Sequence, residues 1–404
     1  VSIDRRTLLK TGLIGLGSQL PMVRRATAAT SAVKIGVLGD YSSAYASVGG
    51  TALLEAVKMA IEDTGGQVLG KPVELVYADC QLKIDIGTNI ARRWFEREDV
   101  DVVVDIPHSG ITFAVADLAL SRRKIVLATS PASSDITGAK CSPYVAHWTF
   151  DTYGIAHSTA SALVKSGALK WFFITMDTVT GTAIEKDATS VLIAGGGKVV
   201  GSVRVPANTP DFASFLLHAQ TSGADVLFFS VAGADAVNLM KQASEFGIAN
   251  SMRIAGSFTM PDDIRGMGLR IAQGLIYSAA FEWDLNDETR AFSKRFLARA
   301  GKMPNMNMAG SYSAVGHYLK AVQTAGSKDA DVVMSTMRDT PINDVFARNG
   351  RLRADGKMEH GMYVMQVKKP SESTSEWDIA KLVAEIPASV ATRPLAEGNC
   401  PLVK

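Results

Sequence analysis

The sequence predicts an α/β protein of two doubly wound lobes, each a mostly parallel sheet with helices on both faces. Three observations lead there. The chain has 404 residues, more than a single hydrophobic core usually serves, so two lobes are the default. Short β-branched runs alternate with apolar residues at helical spacing, which is the pattern of βα units. That alternation stops after residue 128 and restarts near residue 170, as two similar lobes in series would require.

The first series opens with Val33 to Leu38 as a strand and a loop rich in Ser, Tyr and Gly over Asp40 to Gly50. Leu53, Val57, Ala60 and Ile61 then recur at helical spacing. Val73 to Tyr77 reads as a strand, Ile84 to Glu96 as a helix, Val102 to Ile106 as a strand, and a helix starts near Ile111 before the strand Ile125 to Ala128. The second series has strands at Trp171 to Thr175, Val199 to Val205, Val226 to Ser230 and Ile254 to Ser257. Helices at Thr182 to Ile193, Phe212 to Gln220 and Ala236 to Phe246 separate them. Residues 287–338 return to helix through Phe292, Phe296, Leu297 and Ala300. A last strand pair is expected at Arg351 to Arg353 and Met362 to Val367, with Ala354-Asp355-Gly356-Lys357 as a turn, and the tail from Pro370 reads as polar loop.

Charge excludes one class of partner. Lys plus Arg number 42 against 40 Asp plus Glu, so there is no basic field for nucleic acid, and runs such as Arg122-Arg123-Lys124 read as solvated helix ends. At the N-terminus Arg5-Arg6 precede a weakly apolar run from Thr11 to Leu20 and a small-residue Ala26-Thr27-Ala28 end. This is the layout of a cleaved export signal over residues 1–28, too short to span a bilayer, and its arginine pair resembles the twin-arginine export motif. No later apolar run reaches the roughly 20 residues a membrane helix needs, so the mature chain is expected to be soluble in the periplasm. Cys80, Cys141 and Cys400 permit one disulfide with one thiol left over, and spacing alone does not choose the pair.

The sequence carries no recognisable catalytic motif. His108-Ser109-Gly110 lacks the leading Gly of a nucleophile elbow, and the six histidines stand singly without metal-ligand spacing. Gly195-Gly196-Gly197-Lys198 lacks the frame of a phosphate loop and fits a helix end instead. No metal, no cofactor and no enzymatic activity are therefore expected. What recurs is a small polar loop at the carboxyl end of successive strands: Pro107-His108-Ser109-Gly110, then Thr129 to Asp135, then Asp177 to Gly181. Ligands of open α/β sheets bind at such ends, and a helix N-terminus there offers free N–H groups suited to a carboxylate. Each Ser or Thr in these loops could equally serve as a helix N-cap.

Several stretches resemble the leucine/isoleucine/valine-binding-protein family of type I periplasmic binding proteins. They are Lys34-Ile35-Gly36-Val37-Leu38 with Gly49-Gly50, Leu69 to Leu75, Ala91-Arg92-Arg93-Trp94-Phe95, Glu245-Phe246-Gly247-Ile248, Gly310 to Val315, and Gly356-Lys357. Their order covers nearly the whole mature chain. The resemblance implies a monomeric solute receptor of an ABC importer, with two lobes joined by a hinge of three crossovers and docking on permease subunits in the membrane. It places one lobe at 32–149 plus 279–360 and the other at 150–278 plus 361–404. It also implies a disulfide between Cys141 and Cys400, leaving Cys80 free.

Carried over residue by residue, the family pattern puts the carboxylate-binding serine at Ser109. Ala132 and Ser134, with Ser133 between them, flank the same ligand end. Val48 and Thr180 stand where the family has aromatic residues, and a further tyrosine falls at Val231 or Ala232. Phe258 stands where an acidic residue pairs with an amino-acid ligand's ammonium group. Burying an ammonium without that partner costs several kcal/mol, so the expected ligand is a carboxylate without an amino group, an aromatic acid, with Phe258, Phe281 and Trp283 near its ring. Hinge packing is the competing role for Phe281 and Trp283. The alternatives are a branched-chain amino acid or amide receptor, a ligand-sensing subunit of a signalling system, and an exported α/β enzyme.

Overall fold

Central strands of a parallel sheet are buried on both faces and read as unbroken apolar runs. Val102–Asp105 and Ile125–Ala128 meet that description, with every residue buried. In the computed structural model, which describes residues 31–403, they lie side by side in a five-stranded parallel sheet. The order across this sheet is Glu74–Asp79, Lys34–Gly39, Val102–Asp105, Ile125–Ala128, Val145–His147. The export leader expected over residues 1–28 lies outside the described residues.

The second sheet repeats the pattern. Lys198–Val205, Lys170–Met176, Val226–Ser230, Arg253–Gly256 and Ile276–Ala279 run parallel in that order, so the two sheets are wound alike. Met362–Val367 and then Ala380–Ile386 extend it antiparallel. Two expectations are corrected here. Arg351–Leu352 pairs with Met358–Glu359 around the Asp355-Gly356 turn, not with Met362–Val367. The tail beyond Pro370 is not all loop, because Ala380–Ile386 forms the sheet edge with mostly exposed side chains, which hid its strand character. The helix Thr152–Lys165 also escaped the periodicity reading. It is small-residue-rich and buried around much of its circumference, so it carries little amphipathic signal.

After Ala279 the chain returns to the first sheet's side. Asn286 caps the helix Asp287–Ala300 by accepting from the N–H groups of Glu288 and Thr289, each at 3.0 Å. Phe292 and Phe296 turn inward. Arg295 pairs with Asp63 at 2.7 Å and Arg299 with Glu55 at 3.2 Å, both on the first lobe's helix Gly50–Asp63. Met306–Ala325 packs along that same helix.

The chain passes between the sheets three times, and the first and third passages are bonded to each other. Gly356, at φ +87°, places the turn where a Cβ would come within 2.3 Å of the Val145 carbonyl, so no larger residue fits. The His147 N–H donates to the Gly356 carbonyl at 2.8 Å, and Lys357 reaches Asp151 at 3.1 Å. Both of these side chains are at most 4% exposed. Burial pushes the Asp151 carboxyl up, but Lys357, His147 and the Gly154 N–H outweigh it and hold Asp151 below the usual carboxylate range. Burial and then Lys357 push His147 and His360 down to about 4, so both are neutral at pH 7. Cys141 and Cys400 are bridged with Cα atoms 5.6 Å apart, and Cys80 is a buried free thiol, as the resemblance implied.

Lys357→Met strands the Asp151 carboxylate in the interior, and unfolding in urea is expected to show a loss of about 3–5 kcal/mol. Adding Asp151→Asn should recover most of it, because Asn remains a good helix N-cap. A double variant no more stable than Lys357→Met would rule out the ion pair as the cause.

Candidate functional site

Each sheet reverses its direction of winding at one place. In the first the reversal lies between Lys34–Gly39 and Val102–Asp105, in the second between Lys170–Met176 and Val226–Ser230. Such switch points leave a crevice outside the carboxyl ends of the strands, where ligands of open α/β sheets bind. The loops that leave them carry Val48 and Ser109 in one lobe, and Thr180 and Val231 in the other. The cavities resolved among the described residues include two that lie away from these switch points. One of 190 Å³ lies among first-lobe helices beside Tyr312 and His317, and one of 400 Å³ lies at the strand starts around Asp225 and Arg253.

Ser109 begins the helix Ser109–Arg122, whose preceding residue, His108, offers no side-chain cap. Its Oγ accepts from the Ser133 N–H at 3.2 Å, which leaves the hydroxyl proton free to donate. That bond also occupies the Ser133 N–H, while the Ser133 Oγ accepts from Asp135. Ser134 serves the hinge: its Oγ takes the Thr152 hydroxyl at 3.2 Å and its carbonyl takes Arg393 at 2.8 Å. The Ala132 carbonyl accepts from the Thr152 N–H at 2.8 Å. All three residues are half-buried; Ser133 and Ser134 spend side-chain or carbonyl groups on holding the loop in place, while the Ala132 N–H makes no hydrogen bond among the described residues.

Val48, Ala132, Phe258 and Trp283 are half-buried along the margin of one apolar cluster that continues from the first lobe into the second. Phe258 meets Phe150 edge to face, with centroids 6.4 Å apart. A cationic side chain joins the Val48 loop to the helix Pro261–Met267: Lys302 Nζ donates to the Ser47 carbonyl at 2.9 Å and to Asp262 Oδ2 at 2.7 Å. Asn305 adds a bond to the Val48 carbonyl at 2.7 Å. The remaining expected residues are placed differently. Val231 is fully buried in the second lobe's own core, and the next residue, Ala232, is half-buried. Thr180 is exposed in the first turn of Val179–Ala194. Trp283 donates its indole N–H to the Trp377 carbonyl at 3.0 Å, and Phe281 is buried against Phe292, so hinge packing accounts for both.

The residue that sequence reasoning passed over is Asp105. It ends the Val102-Val103-Val104 run, is 1% exposed, and holds φ at +84°, a left-handed conformation rare for a non-glycine residue. Its Oδ1 has no hydrogen-bond partner among the described residues, and neither do the Tyr41 hydroxyl and the Ser130 Oγ. Burial pushes the Asp105 carboxyl up to about 7, Ser130 beside it pulls the other way, and the Asp40 carboxylate adds to the rise. Burial and then Asp105 push the Tyr41 phenol well above its ordinary value. An acidic residue closing an otherwise apolar buried strand was the available signal.

Because the folded carboxyl titrates near 7 and an unfolded one near 4, ionised Asp105 opposes folding above pH 7, and that penalty fades as pH falls toward 4. Asp105→Asn is therefore expected to raise stability at pH 7.5 by about 2–4 kcal/mol, with the gain vanishing by pH 4.5. Urea midpoints of both proteins across that range check it. A gain that does not change with pH would count against a buried, titrating carboxyl.

A family model described as "Periplasmic binding protein" matches residues 32–373. The Leu/Ile/Val-binding protein homolog 6 of Brucella melitensis is 22% identical over 85% of this chain and 89% of its own length. A periplasmic binding protein of Burkholderia mallei is 42% identical, with a TM-score of 0.85 over 92% of this chain and 99% of that one. A branched chain amino acid ABC transporter periplasmic ligand-binding protein of Burkholderia xenovorans is 40% identical, with a TM-score of 0.89 over 92% of this chain and 100% of that one. With the two-sheet architecture and the strand-end site, these likenesses show that the chain belongs to the periplasmic binding protein family, in its type I, Leu/Ile/Val-binding-protein-like branch of ABC transporter solute-binding components.

Proposed function

We propose that this protein captures a small aromatic carboxylate between its lobes and presents it to ABC permease subunits, with no catalytic step of its own. The observation that carries the ligand class is Phe258. By the family resemblance this apolar side chain takes the place of the acidic partner that an ammonium group would need, and it faces a second ring, Phe150. Ser109, the Ala132 N–H and the uncapped start of Ser109–Arg122 supply donors for the acid. The same scaffold is seen in two Rhodopseudomonas palustris solute binding proteins in complex with benzoate and with 4-hydroxybenzoate. They are 20% and 21% identical to this chain, so the likeness is one of fold, and it establishes that the fold can hold a ring acid. A branched-chain amino acid is the second reading, favoured by the description of the Burkholderia xenovorans relative.

The lobes, 32–149 plus 279–360 and 150–278 plus 361–404, would close as rigid bodies about the three crossovers. Among the described residues no helix is long and apolar enough to cross a membrane, and residues 1–28 would direct export to the periplasm by the twin-arginine route.

Calorimetry against benzoate, 4-hydroxybenzoate, leucine and valine is expected to show binding of the acids. Ser109→Ala should weaken them by about 1–3 kcal/mol, since a charged acceptor loses a donor. Small-angle scattering on the same titration should show a smaller radius of gyration on saturation. Binding of leucine or valine with neither acid bound would overturn the ligand class in favour of the second reading. For export, replacing Arg5 and Arg6 with lysine should leave precursor in the cytoplasm, and an unchanged periplasmic yield would remove the twin-arginine assignment.

A further inference from the structure

Of the ion pairs among the described residues, two join parts of the chain built on different sheets. Lys357–Asp151 lies within the crossovers themselves. The other, Lys302–Asp262, lies outside those three passages, with Nζ 2.7 Å from Oδ2 and both side chains 20% exposed. Its two ends are rooted separately. Asp262 sits in the first turn of Pro261–Met267, which follows the second-sheet strand Arg253–Gly256 and buries Ile264 and Met267 in the second lobe's own core. Lys302 sits between Asp287–Ala300 and Met306–Ala325, both packed on the first lobe's helix Gly50–Asp63.

The lysine stands on a fixed base. Gly301, at φ +71°, ends one helix, and Asn305 starts the next by accepting from the N–H groups of Asn307 at 3.0 Å and Met308 at 3.3 Å. Asn305 also donates to the Val48 carbonyl at 2.7 Å, and Lys302 itself to the Ser47 carbonyl at 2.9 Å. The segment is therefore fastened to the Val48 loop, and Nζ reaches from it to the helix of the second sheet. The neighbouring carboxylate, Asp263, is spent on the Met260 N–H at 3.0 Å, so Asp262 is the one that Lys302 meets. Both the Val48 loop and Pro261–Met267 follow the carboxyl ends of their strands, which is the side of the crevice. A rotation that parts the lobes must break the bond to Asp262 and leaves the bond to Ser47 intact.

We propose that Lys302 is a positioning residue for ligand capture: it latches Pro261–Met267 to the Val48 loop when the lobes are together, and so sets the balance between open and closed forms. It acts through the lobes rather than on the ligand. The inference rests on closure of the lobes about the crossovers and does not depend on which solute is held. A contact made in only one of two forms shifts the balance toward that form by its own strength, and ligand affinity rises with the fraction of closed protein. A pair exposed to this degree is weak and is screened by salt, which suits a contact that must break each time the ligand is released.

Calorimetry of wild type, Lys302→Met, Asp262→Ala and the double variant with benzoate, 4-hydroxybenzoate, leucine and valine tests this. Whichever of these compounds wild type binds, each single variant should bind it about 2- to 5-fold more weakly, and the double variant no more weakly than either. The difference from wild type should vanish in about 0.5 M NaCl, where the pair is screened. Losses that add in the double variant, losses that salt does not remove, or no loss would overturn the latch. Binding of leucine or valine alone would end the aromatic-acid reading and leave this test intact. If wild type binds none of the four, the ligand reading fails by itself, and small-angle scattering from the ligand-free proteins decides the latch. A larger radius of gyration in all three variants than in wild type supports it, and one shared value overturns it.

Discussion

The Lys357–Asp151 ion pair is the constraint on which the two-lobed arrangement turns, because it joins two of the three passages between the sheets in a place water does not reach. Its Coulomb attraction is largely cancelled by the desolvation of both ions, so its main contribution is registry rather than net stability. An unpaired lysine or aspartate at this depth is costly, and that cost excludes arrangements in which the crossovers slide past each other. The neighbours fit the same logic. Gly356 lets the turn approach the Val145 carbonyl, and the neutral rings of His147 and His360 bond to the carbonyls of Pro131 and Thr149 without adding positive charge beside Lys357.

That registry extends to the ligand loops. Asp151 caps the helix Thr152–Lys165 through the Gly154 N–H at 2.7 Å, and the next residue, Thr152, holds Ala132 and Ser134. If the proposed site holds, a carboxylate at Ser109 and Ala132 would press on a loop bonded directly to the first crossover. No long relay would then be needed for binding to bias the hinge, since the Ala132 loop and the crossover share Thr152. Lys302 makes a second tie, bridging the Val48 loop and the helix that follows Phe258. It is partly exposed and so contributes less than a buried pair would.

The fold was legible because its signal is periodic. Buried runs such as Val226 to Ser230 and Ile125 to Ala128 fall within the predicted strands to the residue, and Ile84 to Glu96 misses its helix end by one. What failed was aperiodic. Ala380–Ile386 is an edge strand with little buried face, and Thr152–Lys165 is buried nearly all round, so neither shows a contrast between faces. The site was legible only as a set of loops. Sequence placed Ser109 and Phe258 at strand ends, but whether a polar group is free depends on contacts between distant segments. Ser134 is taken by Thr152 and Arg393, and Val231 points into a core, which no local pattern reveals.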